Sequence, residues 1–362
     1  MLNHILSGDL PRSRVLAILL TLIVAAVVLT PFILPGAKSL NVAAKICVFV
    51  VLVASFDLLL GYTGIVSFAH TMFFGIGAYG VAIALTHMDP TWKAVAIGTL
   101  GALGVSLVLS LVIGLFSLRV KALFYAMITL AVASAFMTLA SQLSEFTGGE
   151  DGLSFKVPAI ISPSFSLREA PFLGVSLDGK LVAFYLLVVV SIVLCLLMLR
   201  IVNSPFGRVL QAIRENEFRA EALGYRTVSY RTASNVLSAA FATLAGVLLA
   251  LWLRYNGPDT SLSFEIMIDL LLMVVIGGMG TLYGAVVGSA ILLVAQNYLQ
   301  DLMRLAGKAT ANIPLLRDLV NPDRWLLWLG LLFILSVYRF PTGIVGKLRI
   351  RAWLKKQATG KA

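Results

Sequence analysis

The chain has 362 residues, of which 59% are hydrophobic and only 12% are charged, and its formal net charge is +11. This composition excludes a soluble globular protein, because the apolar runs are long enough to cross a bilayer. The positive charge indicates basic segments on the inner side of a membrane more simply than it indicates a nucleic-acid partner.

Ten apolar runs predict an all-α polytopic membrane protein with about ten transmembrane helices. We place the spans at Val15–Leu34, Leu40–Leu60, Ile65–Leu85, Ala94–Leu118, Leu123–Leu143, Leu181–Ile201, Thr232–Leu253, Phe264–Gly277, Tyr283–Leu299 and Trp325–Tyr338. The predicted organisation is a cytoplasmic N-terminus at 1–14, a transmembrane domain at 15–340 and a basic cytoplasmic tail at 341–362. The first run has no convincing small-residue cleavage site, so we predict a retained span.

The distribution of positive charge predicts the orientation. With both termini inside, the cytoplasmic segments and two adjoining span ends hold 17 of the 28 Lys and Arg residues. The polar loop 144–178 then lies outside without a basic excess, as the positive-inside rule requires. The segment from Asp301 to Asp323, with Arg304, Lys308 and Arg317, fits this orientation least well.

Small residues predict how the spans pack, since helices in a bilayer associate by close approach rather than by apolar burial. The fourth span carries them every four residues, including Gly98 and Ala102, the seventh includes Gly246, and the ninth includes Gly284 and Gly288. Two glycine-rich turns join spans, and their glycines are Gly61, Gly64, Gly277, Gly278 and Gly280. We assign these five to helix turns and packing; such gaps in membrane helices often flank a pathway.

Few ionisable groups lie within the predicted spans. His70, with Ser67 and Thr71 beside it, is read either as a polar lining of a solute path or as a structural interhelical hydrogen bond. Asp269 is a second candidate for the pathway, in an outward vestibule. Asp57 is expected to reach the membrane interface from the inner end of its span.

The segment 203–231 is the longest charged run in the middle of the chain. Ser204 and Pro205 predict a helix start, a second short helix fits Glu217 to Leu223, and Gly224 suits a left-handed helix end. Two capped helices of alternating Arg and Glu favour docking of a partner, whereas the simpler alternative is a solvated connector.

Several chemistries have no matching motif. Each Gly-Lys pair lacks the other residues of a Walker A loop, three histidines and two cysteines form no ligand cluster, and no span carries an acidic relay for protons. We therefore predict no enzyme activity and no cofactor bound by this chain. Active transport would take its energy from another subunit.

Several collinear motifs between about Leu40 and Gly346 are shared with one family. They are Leu58-Leu-Leu-Gly-Tyr-Thr-Gly64, Ser67-Phe-Ala-His70, Phe74-Gly-Ile-Gly-Ala-Tyr79, Phe146-Thr-Gly-Gly149 with Asp151-Gly152, Ser204-Pro-Phe-Gly-Arg208, Ala222-Leu-Gly224, Leu272-Met-Val-Val-Ile-Gly-Gly-Met-Gly-Thr281 and Phe340-Pro-Thr-Gly343. As a set they resemble the permease subunits of branched-chain amino acid ABC importers, of the LivM type.

The resemblance implies the ABC importer permease fold of the larger-channel, type II-like kind, in the bacterial inner (plasma) membrane. It also implies three kinds of partner: a second homologous permease of the LivH type, two cytoplasmic ATP-binding subunits that use ATP and Mg²⁺, and a periplasmic substrate-binding protein. The loop 203–231 corresponds to the segment that couples to the ATPase, and the predicted coupling residues are Arg208, Arg214, Glu217, Glu221, Leu223 and Gly224.

The solute stays open between branched-chain or related amino acids and the urea, short amides or aromatic acids that close relatives import. From another class, an ion-coupled secondary transporter is the alternative. The missing acidic relay and the patterned helix pair count against that alternative.

Overall fold

A computed structural model of the chain describes residues 13–34, 36–117, 122–166, 178–309 and 321–349. Long helices dominate it: α1 Arg14–Ile33, α2 Ala37–Thr63, α3 His70–His87, α4 Trp92–Ser117, α5 Ala122–Gln142, α7 Gly179–Asn203, α10 Thr227–Leu253, α12 Phe264–Gly277, α13 Leu282–Ala309 and α14 Trp325–Arg339. Between them lie short helices: α6 Ser144–Thr147, α8 Pro205–Glu215, α9 Glu217–Ala222 and α11 Pro258–Ser261. Residues 343–349 are also helical.

Nine helical segments of the described residues are long and apolar enough to cross a membrane. They contain nine of the ten predicted spans, and the all-α architecture with about ten spans is confirmed. The third predicted span, α3, is absent from the nine. It begins and ends in histidine, and most of its residues are buried among the other helices, so it need not be apolar toward lipid.

The chain enters α3 differently from the prediction. We expected His70 about a turn and a half inside a helix that starts at Ile65, but the helix begins at His70 itself. Gly64 ends α2 in the left-handed conformation with φ 74°. Residues 64–69, which have no helical structure, then lead the chain back into the bundle beside α2. His70 Nε2 then meets Ser55 Oγ at 2.8 Å. Ser55 lies eight residues before the end of α2, about 12 Å along its axis.

Non-helical backbone at this depth is tolerated in a membrane only where protein surrounds it. The returning segment meets this condition, because Ile65, Ser67 and Ala69 are buried. The Phe68 amide donates to Thr129 Oγ1 of α5 at 3.0 Å. Thus α3 starts inside the bundle, and the non-helical segment 64–69 takes the place of its inner end.

Glycines bring the central helices into contact, as the small-residue pattern predicts. A methyl group on Gly246 of α10 would collide with the Phe74 carbonyl of α3, and one on Gly98 of α4 would lie 2.6 Å from the Gly80 carbonyl. In α13, Gly288 approaches the Met273 carbonyl of α12 in the same way. Gly277 approaches Gly284, so α12 and α13 form two antiparallel spans joined by a short turn.

Two helix boundaries differ from the prediction. The helix α13 continues ten residues beyond Leu299, because Asp301 pairs with Lys38 and Met303 is buried, so the polar residues there do not end it. The helix α10 begins at Thr227 rather than Thr232. No helix-breaking residue lies between these two positions, and the buried Thr227 hydroxyl donates to Glu221 Oε1 at 2.8 Å.

The loops segregate to two ends of the bundle. At one end, the antiparallel pair β1 Leu153–Ser154 and β2 Tyr255–Asn256 ties the loop after α5 to the loop after α10. At the other end lie the turns after α2 and α12. The predictions for 1–12, for Arg119 and Lys121, for 167–177 within the loop 144–178, for Arg317 and for the end of the tail lie outside the described residues.

Candidate functional site

The helices α8 and α9 lie at the same end of the bundle as the two glycine turns. Pro205 occupies the first position of α8, as predicted, but the prediction for the Ser204 side chain is wrong. Only the expected side-chain cap is missing: Ser204 does occupy the N-cap position, but its hydroxyl donates back to the Ile201 carbonyl at 2.6 Å and caps no helical N–H. Asn216 caps α9 by accepting from the Arg219 amide at 2.9 Å. Gly224 follows with φ 89°, which confirms the predicted left-handed helix end.

One face of this helix pair is buried and another is not. Leu210 and Ile213 of α8 and Ala220 of α9 are almost completely buried against the bundle. In contrast, Phe218 is 85% exposed and Leu223 is 72% exposed. Two large apolar side chains that project from a charged, capped helix are more than a solvated connector needs.

The predicted coupling residues divide into two groups. Arg208, Leu223 and Gly224 are exposed. Glu217 instead pairs with Arg231 Nη1 at 2.6 Å, and Glu221 accepts from Thr227, so both carboxylates hold α9 against the start of α10. Arg214 also points toward its own chain, although much of the residue remains exposed.

The guanidinium of Arg214 joins the two glycine turns. Its Nη1 donates to the Gly61 carbonyl at the end of α2. The Gly280 amide, in the turn between α12 and α13, donates to Asp57 Oδ1 at 2.8 Å. We call the set Asp57, Gly61, Arg214 and Gly280 the Arg214 junction. It connects the α8–α9 pair to the ends of three spans.

Asp57 therefore corrects our expectation. It does not reach the interface but is 1% exposed, because the Gly280 amide approaches closely enough to bind its carboxylate within the protein. An added methyl on Gly61 would overlap both the Asp57 carboxylate and the Gly280 nitrogen. On Gly280, which has φ 76°, it would lie 3.0 Å from both Arg214 Nη1 and the Gly61 carbonyl. Only glycine fits either position without a shift.

The other predicted packing glycines surround this junction. Gly64 has φ 74°, and a methyl there would lie 3.2 Å from Arg214 Cγ. Gly278 has φ 115° and approaches the 340–343 turn, where a methyl would lie 3.0 Å from the Thr342 carbonyl. Gly277 packs on Gly284. The glycines of the two predicted turns thus converge at one end of the bundle.

The predicted pathway residues are not brought together. Ser67, His70 and Thr71 are buried within the bundle, and the His70 ring packs against Phe56 at a tilt of 59° with ring centroids 5.2 Å apart. Its bond to Ser55 is the interhelical hydrogen bond that we weighed as the alternative. Asp269 instead lines a cavity at the end remote from the Arg214 junction. A pathway role for these four residues stays a prediction.

Sequence reasoning missed two features of the site. Phe218 was not singled out, although an aromatic residue between Glu217 and Arg219 in a short charged helix could have drawn attention to it. The Arg214–Gly61 contact joins residues 153 positions apart and leaves no local signal.

Comparison with known proteins identifies the family. Residues 38–337 match the family model described as branched-chain amino acid transport system / permease component. The LivM permease protein of the high-affinity branched-chain amino acid transport system of Salmonella typhimurium is 27% identical over 338 residues, covering 89% of this chain and 74% of that protein. The LivM protein of Escherichia coli K12 is 26% identical over 334 residues, covering 88% and 73%.

A permease of the second type is also similar. The LivH permease protein of the same transport system in Salmonella typhimurium is 22% identical over 304 residues, covering 83% of this chain and 91% of that protein. No solved structure matches the chain. Since the family model covers most of its length, this chain belongs to the family of branched-chain amino acid transport system permease components.

Proposed function

We propose that this chain is the transmembrane permease subunit of an ATP-binding cassette importer and provides half of the translocation pathway for branched-chain or related amino acids. The family and its LivM relatives support the solute class. The importer assignment rests on one observation, the way in which the α8–α9 pair is held and exposed. It is anchored to its own bundle through Arg214 and presents Phe218 and Leu223 outward.

The exposed face of α9 is the proposed docking surface for an ATPase subunit. Phe218 and Leu223 would enter an apolar groove on the partner, because large exposed side chains gain the most from burial at an interface. Arg208, Glu215 and Arg219 are exposed on the same helix pair and would set the orientation of the complex through complementary charge. The contacts of Glu217 and Glu221 with α10 keep this face rigid.

The Arg214 junction is the proposed route by which docking moves the spans. A displacement of α8 moves the guanidinium, which holds the Gly61 carbonyl, and the Asp57–Gly280 bond carries the displacement to the turn between α12 and α13. Coupling of this kind needs a structural element with two arrangements, and both the docking surface and the spans must be able to shift the balance between them. Turns of glycine at the ends of α2 and α12 supply the required backbone freedom.

The proposal includes partners that this chain does not contain. They are a second permease of the LivH type, two cytoplasmic ATP-binding subunits and a periplasmic binding protein. ATP and Mg²⁺ would be used by the ATP-binding subunits. The location is the bacterial inner (plasma) membrane with both termini cytoplasmic, as the distribution of Lys and Arg predicts.

The test is ATPase activity in proteoliposomes that contain this chain with its partner chains. We expect stimulation by the binding protein loaded with a branched-chain amino acid, and less with urea, short amides or aromatic acids. Stimulation by one of those other solutes would reassign the substrate. If no ATPase subunit assembles with the chain and an ion gradient alone drives uptake, the importer proposal is wrong.

A further inference from the structure

A cavity of about 450 Å³ lies in the half of the bundle remote from the Arg214 junction. It is lined by Lys45 of α2, by Glu265 and Asp269 of α12, by Gln296 of α13 and by Trp325 at the start of α14. Since α2 and α12 both run toward the junction, Lys45 and Asp269 lie in their outer halves in the predicted orientation. The cavity is therefore placed where a solute would enter from outside.

The charges around this cavity are not paired with each other. Lys45 is half-buried, yet it has no ion pair or hydrogen bond with any described residue. Asp269 accepts a hydrogen bond from Gln296 Nε2 at 2.9 Å, whereas Glu265 forms no ion pair with described residues. One cation and three carboxylates, those of Asp259, Glu265 and Asp269, thus line one space without an ion pair between them. Ionisable groups within a membrane protein are costly, so an unpaired set points to a function.

Apolar side chains complete the cavity. Phe49 of α2, Leu249 of α10 and Leu293 of α13 line it together with the charged groups. Ligand sites combine such apolar walls with a few polar groups that fix orientation, and they have volumes of about 300–1,000 Å³. The lining therefore suits a small molecule with one positive group, one negative group and an apolar remainder.

We propose that this cavity binds the zwitterionic backbone of a free α-amino acid that has an apolar side chain. The Lys45 ammonium would donate to the α-carboxylate, and the carboxylates of Asp269 and Glu265 would accept from the α-ammonium. Such charge-assisted hydrogen bonds are roughly twice as strong as hydrogen bonds between neutral groups. The inference rests on the proposed function only in taking amino acids as the transported class, and it adds a binding site within the permease itself.

Protection of an engineered cysteine tests the site directly. Thr260 lines the cavity, so the Thr260→Cys variant of the full-length chain, in the assembled transporter, reports access for a charged methanethiosulfonate reagent. We expect millimolar leucine to slow labelling several-fold. Isoamylamine, which lacks the carboxylate, and 4-methylpentanoate, which lacks the ammonium group, should protect far less. The chain without the added cysteine gives the background from Cys47 and Cys195.

Charge variants separate recognition from a general structural effect. Lys45→Gln, introduced together with Thr260→Cys, should remove the preference for leucine over isoamylamine. Protection by leucine should weaken about tenfold or more, because a hydrogen bond to a charged group is lost. Lys45→Arg should restore it, which keeps the test valid if the neutral variant folds poorly. The exposed Lys93 supplies the matched control, and Lys93→Gln should leave protection unchanged. Equal labelling with and without leucine, or equal protection by the amine alone, would overturn the proposal.

The stimulated ATPase activity of the same preparation tests the proposed function independently of the binding site. If the loaded binding protein stimulates ATPase activity but leucine does not protect the engineered cysteine, the cavity proposal is wrong and the importer assignment is supported. Protection by leucine without any stimulation would support the binding site and count against the importer.

Discussion

At the residue scale, the structure depends on glycines that allow charged groups to reach backbone. Asp57 and Gly61 are one helical turn apart on α2, so a buried carboxylate faces a position with no side chain. The missing side chain at Gly61 leaves room for the Gly280 amide to donate to Asp57. The Gly61 carbonyl in turn accepts a hydrogen bond from Arg214. The sequence predicts that these glycines make turns, but it contains no indication that the two turns touch.

We expect Gly61→Ala to destabilise the chain, because the added methyl overlaps the Asp57 carboxylate and the Gly280 amide. Overpacking of this kind costs about 1–3 kcal/mol. The thermal unfolding midpoint of the detergent-purified chain should therefore fall. Gly101→Ala is the matched control, since a methyl there meets nothing within 4 Å. Equal midpoints for the two variants would show that the junction is looser than the structure indicates.

Replacing Arg214 should affect coupling more than folding. Arg214→Met removes a charged donor worth about 1.5–3 kcal/mol from the Gly61 carbonyl, while the exposed remainder of the residue loses little packing. We expect ATPase subunits still to assemble, but uptake per ATP hydrolysed to fall severalfold in proteoliposomes. Arg200→Met, at an exposed position near the end of α7, should leave that ratio unchanged. An unaltered ratio in Arg214→Met would exclude the guanidinium as a link between α8 and the spans.

At the scale of elements, hydropathy located the long helices well and the ends of some of them poorly. The start of α3 was missed because Ile65 to Ala69 is as apolar as a helix would be, and only the His70–Ser55 contact shows where the helix begins. The predicted span ended at Leu299, and α13 continues into the polar segment because a helix need not stop where its residues become polar. Long-range contacts decide both positions, and a single sequence does not report them.

The helix α9 carries the third prediction. Phe218→Ala and Leu223→Ala remove exposed apolar side chains, so expression and thermal stability should stay close to the unmodified chain. Co-purification of the ATPase subunits should decline by tenfold or more, about 1.4 kcal/mol, if these residues are centres of the interface. Phe146→Ala is the matched control, because Phe146 is 58% exposed at the opposite end of the bundle. Undiminished recovery of the ATPase would place the docking surface elsewhere.

At the scale of the whole molecule, α3 decides the orientation of everything after it. The nine described helical segments that could cross a membrane, counted alone, would put the two termini on opposite sides. Counting the non-helical segment 64–69 together with α3 as one crossing gives ten spans and returns both termini to the same side. Contacts support the second count, since the 340–343 turn near the end of the chain packs on Gly278, beside the Arg214 junction.

The ten-span arrangement predicts which loops an impermeant thiol reagent reaches. Asp89 follows α3 and Glu215 ends α8, and both are exposed. In the predicted orientation Asp89 lies outside and Glu215 inside, because three spans separate them. The helix α4 carries the chain from the outer face to the inner one, α5 returns it to the outer face, and α7 brings it to the inner face again. We therefore expect Asp89→Cys to be labelled in intact spheroplasts and Glu215→Cys only after permeabilisation, with the unmodified chain as the background for Cys47 and Cys195. Labelling of Glu215→Cys but not of Asp89→Cys in intact spheroplasts would mean that α3 does not complete a crossing, and the docking surface on α9 would then face away from any cytoplasmic ATPase.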